Sequence, residues 1–420
     1  MEWRRRIRLS AVTMTATALA LGGCTAERTP EKKEAAARVP LDLTVTPADR
    51  TRDVPISAEV GIAVRGGKVK EVRIRDDKGT QVRAEPREDG TAWVPAAPLA
   101  HRRTYTAEVT AGNDAGETAT RSTTFTTAAK SNASAITSTL YFAGNRTYGT
   151  AMPVTVAFDP PIPKDARDEV QRRLFVRTDP PQPGAWSWLE DGSQVYYRAP
   201  DFWRPGTSIS VRSALEGLPI GRNRVGDADR RATSQIGRQV ALEIDNATKQ
   251  MSVFQDGRLL RRIPVSLGKP STPSSSGRMV IMEKHERTTF DTRGEPNGGY
   301  VVDVDDAQRY TWGGEFIHSA PWSEGDQGNT NVSHGCANVS ASAADWLMGI
   351  TQVGDLITVK GTEVPLQPGN GWTAWNVGWE EFVKGSALPV PGNLRPAPTG
   401  SPAAPAAGAT PGPASTGSGG

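Results

Sequence analysis

The stretch IHSAPWSEGDQGNTNVSHGCANVS, residues 317–340, holds His318, His334 and Cys336 in a chain with four histidines and two cysteines. A cysteine becomes a nucleophile when its thiolate is accessible and stabilised, by an imidazolium or by the positive end of a helix. His334 lies two residues from Cys336 and His318 eighteen residues upstream. Closeness along the chain does not favour His334. In extended backbone, residues i and i+2 point the same way without meeting, whereas a base from another strand can face the sulfur. Gly335 permits a backbone angle denied to other residues, so that successive N–H groups could converge as an oxyanion hole requires. Two other readings compete. With His285 added, one thiolate and three imidazoles would suit zinc, although no paired short histidine spacing is present. A buried, inert thiol packs like a small hydrophobe.

The N-terminus narrows the choice. Residues 1–23 pair a basic start, MEWRRRIR, with an apolar run of small residues too short and too weakly apolar for a spanning helix. The run ends in Leu21-Gly22-Gly23-Cys24, which resembles a bacterial lipobox, whose cysteine is acylated and becomes the mature N-terminus. An ordinary secretory signal is the alternative. The expectation is a lipid-anchored, extracytoplasmic protein that meets the membrane through Cys24 and faces the cell wall. Arg4, Arg5, Arg6 and Arg8 against Glu2 account for the whole formal charge of +3, so the mature chain is neutral. Nucleic-acid binding wants a basic face on the mature domain, and none is implied. With Cys24 lipidated, Cys336 has no partner for an intramolecular disulfide, and a lone thiol with histidines elsewhere is a candidate nucleophile.

The rest of the chain reads as mainly β. Residues 24–40 are charged and Ala-rich without apolar periodicity, a tether. Residues 41–127 alternate in short runs such as LDLTVTP and TYTAEVTA, split by turn residues, which predicts an immunoglobulin-like β-sandwich. Residues 128–235 predict a second, with a hairpin at Asp191-Gly192. Trp186, Trp188 and Trp203 are assigned to its core, with a sugar-stacking surface as the alternative. Residues 236–362 form the block that carries the thiol, with an Asp256-Gly257 turn and a flexible loop at PSTPSSSG. Ser342 and Asp345 have the spacing of a capping box, predicting a short helix just after Cys336. Residues 363–387 are Trp-rich; Trp372, Trp375 and Trp379 share one stripe if the segment is helical, and core pinning is their expected role. Residues 388–420 are Pro/Ala/Gly/Ser-rich and expected to be disordered.

The motif Ser333-His334-Gly335-Cys336-x-Asn338, with IHSAPWS upstream, resembles the active-site signature of bacterial L,D-transpeptidases. The similarity runs over about residues 130–385, taking in GAWSWL, FWRPGT, GKPSTPSSSG and PNGGYVVDVD, and the layout resembles actinobacterial lipoprotein forms with two immunoglobulin-like modules. The resemblance implies a β-rich catalytic domain that uses no metal or cofactor. It makes Cys336 the nucleophile and His318 the general base and later acid, its ring oriented by the carbonyl of Ser319. His334 and Gly335 shape the site, with backbone N–H groups around Gly335 and Cys336 as the oxyanion hole. Tyr300, Gly313, Gly314 and Asn338 line the substrate cleft. His101 and His285 receive no role. The implied partners are donor and acceptor stem peptides of peptidoglycan, joined 3→3 with release of D-alanine, and carbapenems as inhibitors. Hydrolysis of the same acyl-enzyme, a carboxypeptidase, shares every catalytic residue. A wall-binding β-protein with an inactive thiol is the reading from another class.

Overall fold

Alternation of apolar and polar residues places one face of each strand inward, and the two N-terminal β-modules follow from it. The computed structural model describes residues 39–395 apart from 88, 295–298 and 300. The leader with Cys24, most of the tether, the tail from residue 396 and Tyr300 therefore lie outside the described residues. In Asp42–Thr46, Leu43 and Val45 are buried between exposed neighbours. That strand joins Val60–Arg65, Ala92–Pro95 and Ala84–Pro86 in one sheet. A five-stranded sheet packs against it, running from Thr51–Val54 through Thr118–Thr127, Thr104–Gly112 and Lys68–Asp76 to Gln81–Val82. Leu43, Val60, Ile74, Val109 and Phe125 fill the space between.

The second module repeats the plan with a five-stranded and a four-stranded sheet. Its Ala185–Trp188 and Gln194–Arg198 strands pair antiparallel across the Asp191-Gly192 turn, where Gly192 takes a φ of 78°. A side chain there would stand 2.2 Å from the Ile162 carbonyl, so glycine is required by space as well as by angle. Trp186, Trp188 and Trp203 are buried, and Trp203 Nε1 donates to Met152 O at 2.7 Å. They are core residues and present no stacking surface.

The thiol-bearing block has a six-stranded sheet ordered Arg258–Pro264, Gln250–Gln255, Val240–Asp245, Leu356–Lys360, Ser275–Val280, Val364–Pro365. A four-stranded sheet holds Glu283–Asp291, Val301–Arg309, Phe316–Ser319 and Ala337–Val339. Leu242, Val253, Met279, Ile317, Val339 and Leu347 form one core. The helix Ala341–Ile350 contributes Leu347 and starts earlier than the capping-box spacing suggested: Ser340 is the cap, accepting from Ala343 N–H at 3.3 Å. Ser342 lies inside the first turn, because chain geometry leaves only Ser340 with the extended backbone a cap needs.

The tryptophans have the expected core role, but the helical condition for a single stripe is not met. Only Trp379–Lys384 is helical. Trp372 and Trp375 lie in irregular chain, buried with Ile136, Val156, Val280 and Leu356 in a core shared by the second module and the catalytic block. Trp375 Nε1 donates to Ala151 O at 2.7 Å. The Arg198 guanidinium lies 4.3 Å from the rings of both Trp375 and Phe382 and donates to the carbonyls of Ala374 and Val377. Because this core belongs to both parts, Trp375→Ala should lower stability by about 3–5 kcal/mol, the usual loss for a buried large aromatic. In calorimetry the second module and the catalytic block should then melt earlier as a single transition; two separated transitions in the wild type would contradict a shared core.

Candidate active site

Two short strands create the site. Phe316–Ser319 and Ala337–Val339 pair in parallel, with His318 opposite Asn338. Residues two apart in a strand face the same way, so Cys336, just before the second strand, falls on the face that carries Phe316, His318 and Asn338. This juxtaposition is what an 18-residue sequence separation concealed. His318, Cys336, Asn338, His334 and Ser333 all line one cavity of about 400 Å³, walled also by Phe290, Val302, Trp322 and Val332.

His318 is 4% exposed. Its Nδ1 lies 2.9 Å from the Ser319 carbonyl oxygen, which can only accept. The ring proton is therefore on Nδ1, and Nε2 is left bare as a base. Phe290 meets the ring edge-on at 5.3 Å, and Trp322, itself 60% exposed, covers it at 6.0 Å. Burial pushes the imidazole below its ordinary value, while Ser319 and Asn338 oppose that shift by favouring the charged ring. Asn338 Oδ1 is buried and has no donor among the described residues. That agrees with a neutral ring lacking a proton on Nε2; a proton arriving there would give the amide oxygen its donor. Asn338 Nδ2 donates to Ser323 Oγ at 3.1 Å, which fixes the amide.

Cys336 sits against Val304, Ala307 and Phe316, and its thiol donates to the Gly314 carbonyl at 3.7 Å. The loop before it is tightly held. Ser333 Oγ donates to Cys336 O at 2.6 Å and accepts from Gly335 N–H at 3.1 Å. Ser274 Oγ donates to Gly335 O at 2.7 Å, and Thr272 Oγ1 to Ser333 O at 3.2 Å. Gly335 itself has a φ of 119°, a region that L side chains rarely enter. The Gly335 N–H is thus taken up by Ser333 and is not available to an oxyanion as the loop stands. The segment expected to be a flexible loop, residues 270–277, is instead the buttress of this turn.

His334 contacts Lys269, Nε2 to Nζ at 3.0 Å. An ammonium can only donate, so this ring nitrogen is already an acceptor and is ill placed to take the thiol proton. Gly313 N–H is held by Asn370 Oδ1 at 2.7 Å, and Gly314 reaches the site through its carbonyl. His285 pairs with Glu283 at 3.3 Å, and exposed His101 contacts Ala128 O at 3.1 Å. Among the described residues no three histidine, cysteine or acidic side chains converge as metal ligands.

Residues 239–359 match the L,D-transpeptidase catalytic domain, and residues 51–219 match a bacterial Ig domain. L,D-transpeptidase 2 of Mycobacterium tuberculosis (strain CDC 1551 / Oshkosh) is 32% identical over 399 residues, 91% of this chain and 96% of that protein. The chain belongs to the L,D-transpeptidase family. L,D-transpeptidase 5 of Mycobacterium tuberculosis (strain ATCC 25618 / H37Rv) is also 32% identical, over 85% of this chain and 79% of that protein. A solved LD transpeptidase in complex with imipenem is 31% identical, covering 53% of this chain and 97% of its own, with a TM-score of 0.44.

Several site residues of this L,D-transpeptidase escaped the sequence reading. Glu315 and Tyr310 are buried behind the thiol loop. Glu315 Oε1 accepts from Ser275 N–H at 2.6 Å, while Oε2 and the Tyr310 hydroxyl have no hydrogen-bond partner among the described residues. Burial raises both groups above their usual values, keeping them toward their neutral forms. A carboxylic acid beside two glycines carries no motif, and only burial distinguishes it from a surface residue.

The depressed His318 has a definite consequence. The unfolded chain binds the proton more readily, so stability is full above the ordinary histidine value of 6.5 and falls as pH drops through the folded one. Urea titrations from neutral pH downward should show this loss in the wild type and a smaller one in His318→Gln. Equal slopes for the two proteins would show that His318 is not buried as a neutral ring.

Proposed function

We propose that this enzyme forms 3→3 peptidoglycan cross-links through a thioester on Cys336, with His318 as the shuttling base. The observation that carries the assignment is the parallel strand pair that puts both residues on one face of a single cavity. Sulfur attacks the carbonyl of the third, diamino-acid residue of a donor tetrapeptide, and the thiol proton passes to His318 Nε2. Ser319 O and Asn338 stabilise the resulting imidazolium. The imidazolium then protonates the departing D-alanine nitrogen as the C–N bond breaks. In the second half an acceptor amine attacks the thioester, the C–S bond breaks, and the thiol is regenerated. No step calls on a metal or redox cofactor.

Gly313, Gly314, Asn338 and Tyr300 are assigned to the walls of the stem-peptide cleft; close backbone approach by a peptide is what glycines permit. Oxyanion stabilisation is assigned to backbone N–H groups of the Gly335–Cys336 turn, in which Gly335 would release Ser333.

Mass spectrometry of muropeptides incubated with the protein tests the reaction. Cross-linked dimers are expected from the wild type and none from Cys336→Ala. His318→Gln should be slower by about 10²–10⁴-fold, the range for loss of a general base. Tripeptides without dimers would point to a carboxypeptidase, and an unchanged mixture would point to a wall-binding protein. A carbapenem, whose strained amide offers an equivalent carbonyl, should add its mass once to the wild type and not at all to Cys336→Ala.

Location is proposed on the lipobox-like ending at Cys24. A lipid at this residue would hold the catalytic block outside the membrane behind two β-modules. Cys24→Ala should move the protein from the membrane fraction to the soluble extracytoplasmic fraction; an unchanged distribution would argue against lipidation.

A further inference from the structure

The cavity must admit two chemically different partners. The donor presents a neutral amide carbonyl, and the acceptor arrives as a side-chain ammonium. Among the described residues that line the cavity, Asp326 carries the one carboxylate, and none is a lysine or arginine. Asp326 is half-buried, and its side chain makes no hydrogen bond or ion pair with a described residue. Its backbone is fixed: Asp326 N–H donates to Ser323 O at 3.0 Å, and Asp326 O accepts from Asn329 N–H at 2.9 Å and Thr330 N–H at 2.7 Å. Ser323 in turn bonds Ala320 O and Asn338 Nδ2. The turn that carries Asp326 is therefore anchored to both strands of the catalytic pair. A carboxylate carried on this fixed turn, with no partner among the described residues, gives the cavity wall a local negative charge that favours a cation.

We infer that Asp326 is the acceptor-specificity residue, recognising the protonated primary amine of the incoming stem and biasing the thioester toward aminolysis over hydrolysis. The inference rests on the acyl-transfer reading above. Asp326 holds the ammonium beside the thioester. One proton leaves the ammonium for His318 Nε2, the free amine attacks the carbonyl carbon, and the C–S bond breaks as the C–N bond forms. The remaining excess proton of the new amide nitrogen ends on solvent, and the proton on His318 ends on the Cys336 sulfur. Asp326 gives up nothing and receives nothing; it positions one partner by charge.

The test is a competition on one acyl-enzyme. The full-length protein is given a tetrapeptide donor together with Nα-acetyl-lysine amide, a cationic amine, and hydroxylamine, a nucleophile largely uncharged at neutral pH. The ratio of lysine adduct to hydroxamate depends only on how the thioester partitions, whatever the rate of its formation. Asp326→Asn should lower that ratio about tenfold, and Asp326→Glu should retain most of it. In the wild type the same ratio should fall as salt is raised from about 0.05 to about 0.5 M, because screening weakens the charge contact. A ratio unmoved in Asp326→Asn, or a wild-type ratio indifferent to salt, overturns the assignment. The salt arm decides the matter if Asp326→Asn does not fold. Absence of D-alanine release from the wild type would instead overturn the acyl-transfer reading, and this inference with it.

Discussion

The site depends on three backbone registrations between two short parallel strands: Ile317 with Ala337, His318 with Asn338, Ser319 with Val339. A slip of one residue would turn His318 away from the face shared with Cys336, since side chains in strands alternate. What prevents the slip is apolar. Ile317, Ala337 and Val339 are almost wholly buried in the core beneath, so the opposite face is committed to His318 and Asn338. Chemistry on one side of the sheet is held in register by packing on the other.

A second constraint is the turn from Ser333 to Cys336. The positive φ of Gly335 opens the loop, and hydroxyls from Ser333 and Ser274 tie its carbonyls and N–H groups from both sides. Glu315 closes the back, its Cγ 3.6 Å from where a Gly335 side chain would begin. Buried polar atoms without partners are costly, and two that have none among the described residues, Glu315 Oε2 and the Tyr310 hydroxyl, lie together behind Cys336.

Much of this was legible in the linear chain. Period-2 runs marked the strands, because alternation is a local property of a half-buried sheet. Asp191-Gly192 marked its hairpin, because the turn demands glycine whatever surrounds it. The signature around Cys336 named the family. The errors share a cause. Capping-box spacing pointed to Ser342, whereas the cap, Ser340, is chosen by where the backbone leaves the strand. Trp372 and Trp375 fit a helical stripe, but both are buried by a neighbouring module, which no periodicity within their own segment records. The segment PSTPSSSG looked flexible, and the hydroxyls of Thr272 and Ser274 within it are hydrogen-bonding groups of the thiol turn.

The sequence by itself determined the mainly β architecture and the family, and it singled out Cys336 as the candidate thiol, because each rests on residue identity or on short-range pattern. The tertiary structure decided what surrounds each histidine. Lys269, distant in sequence, occupies His334 Nε2, while burial favours the neutral ring of His318 and the Ser319 carbonyl holds its proton on Nδ1, leaving Nε2 bare. Proton affinity and orientation are set by neighbours brought together from several strands, and an order of residues along a chain does not contain them.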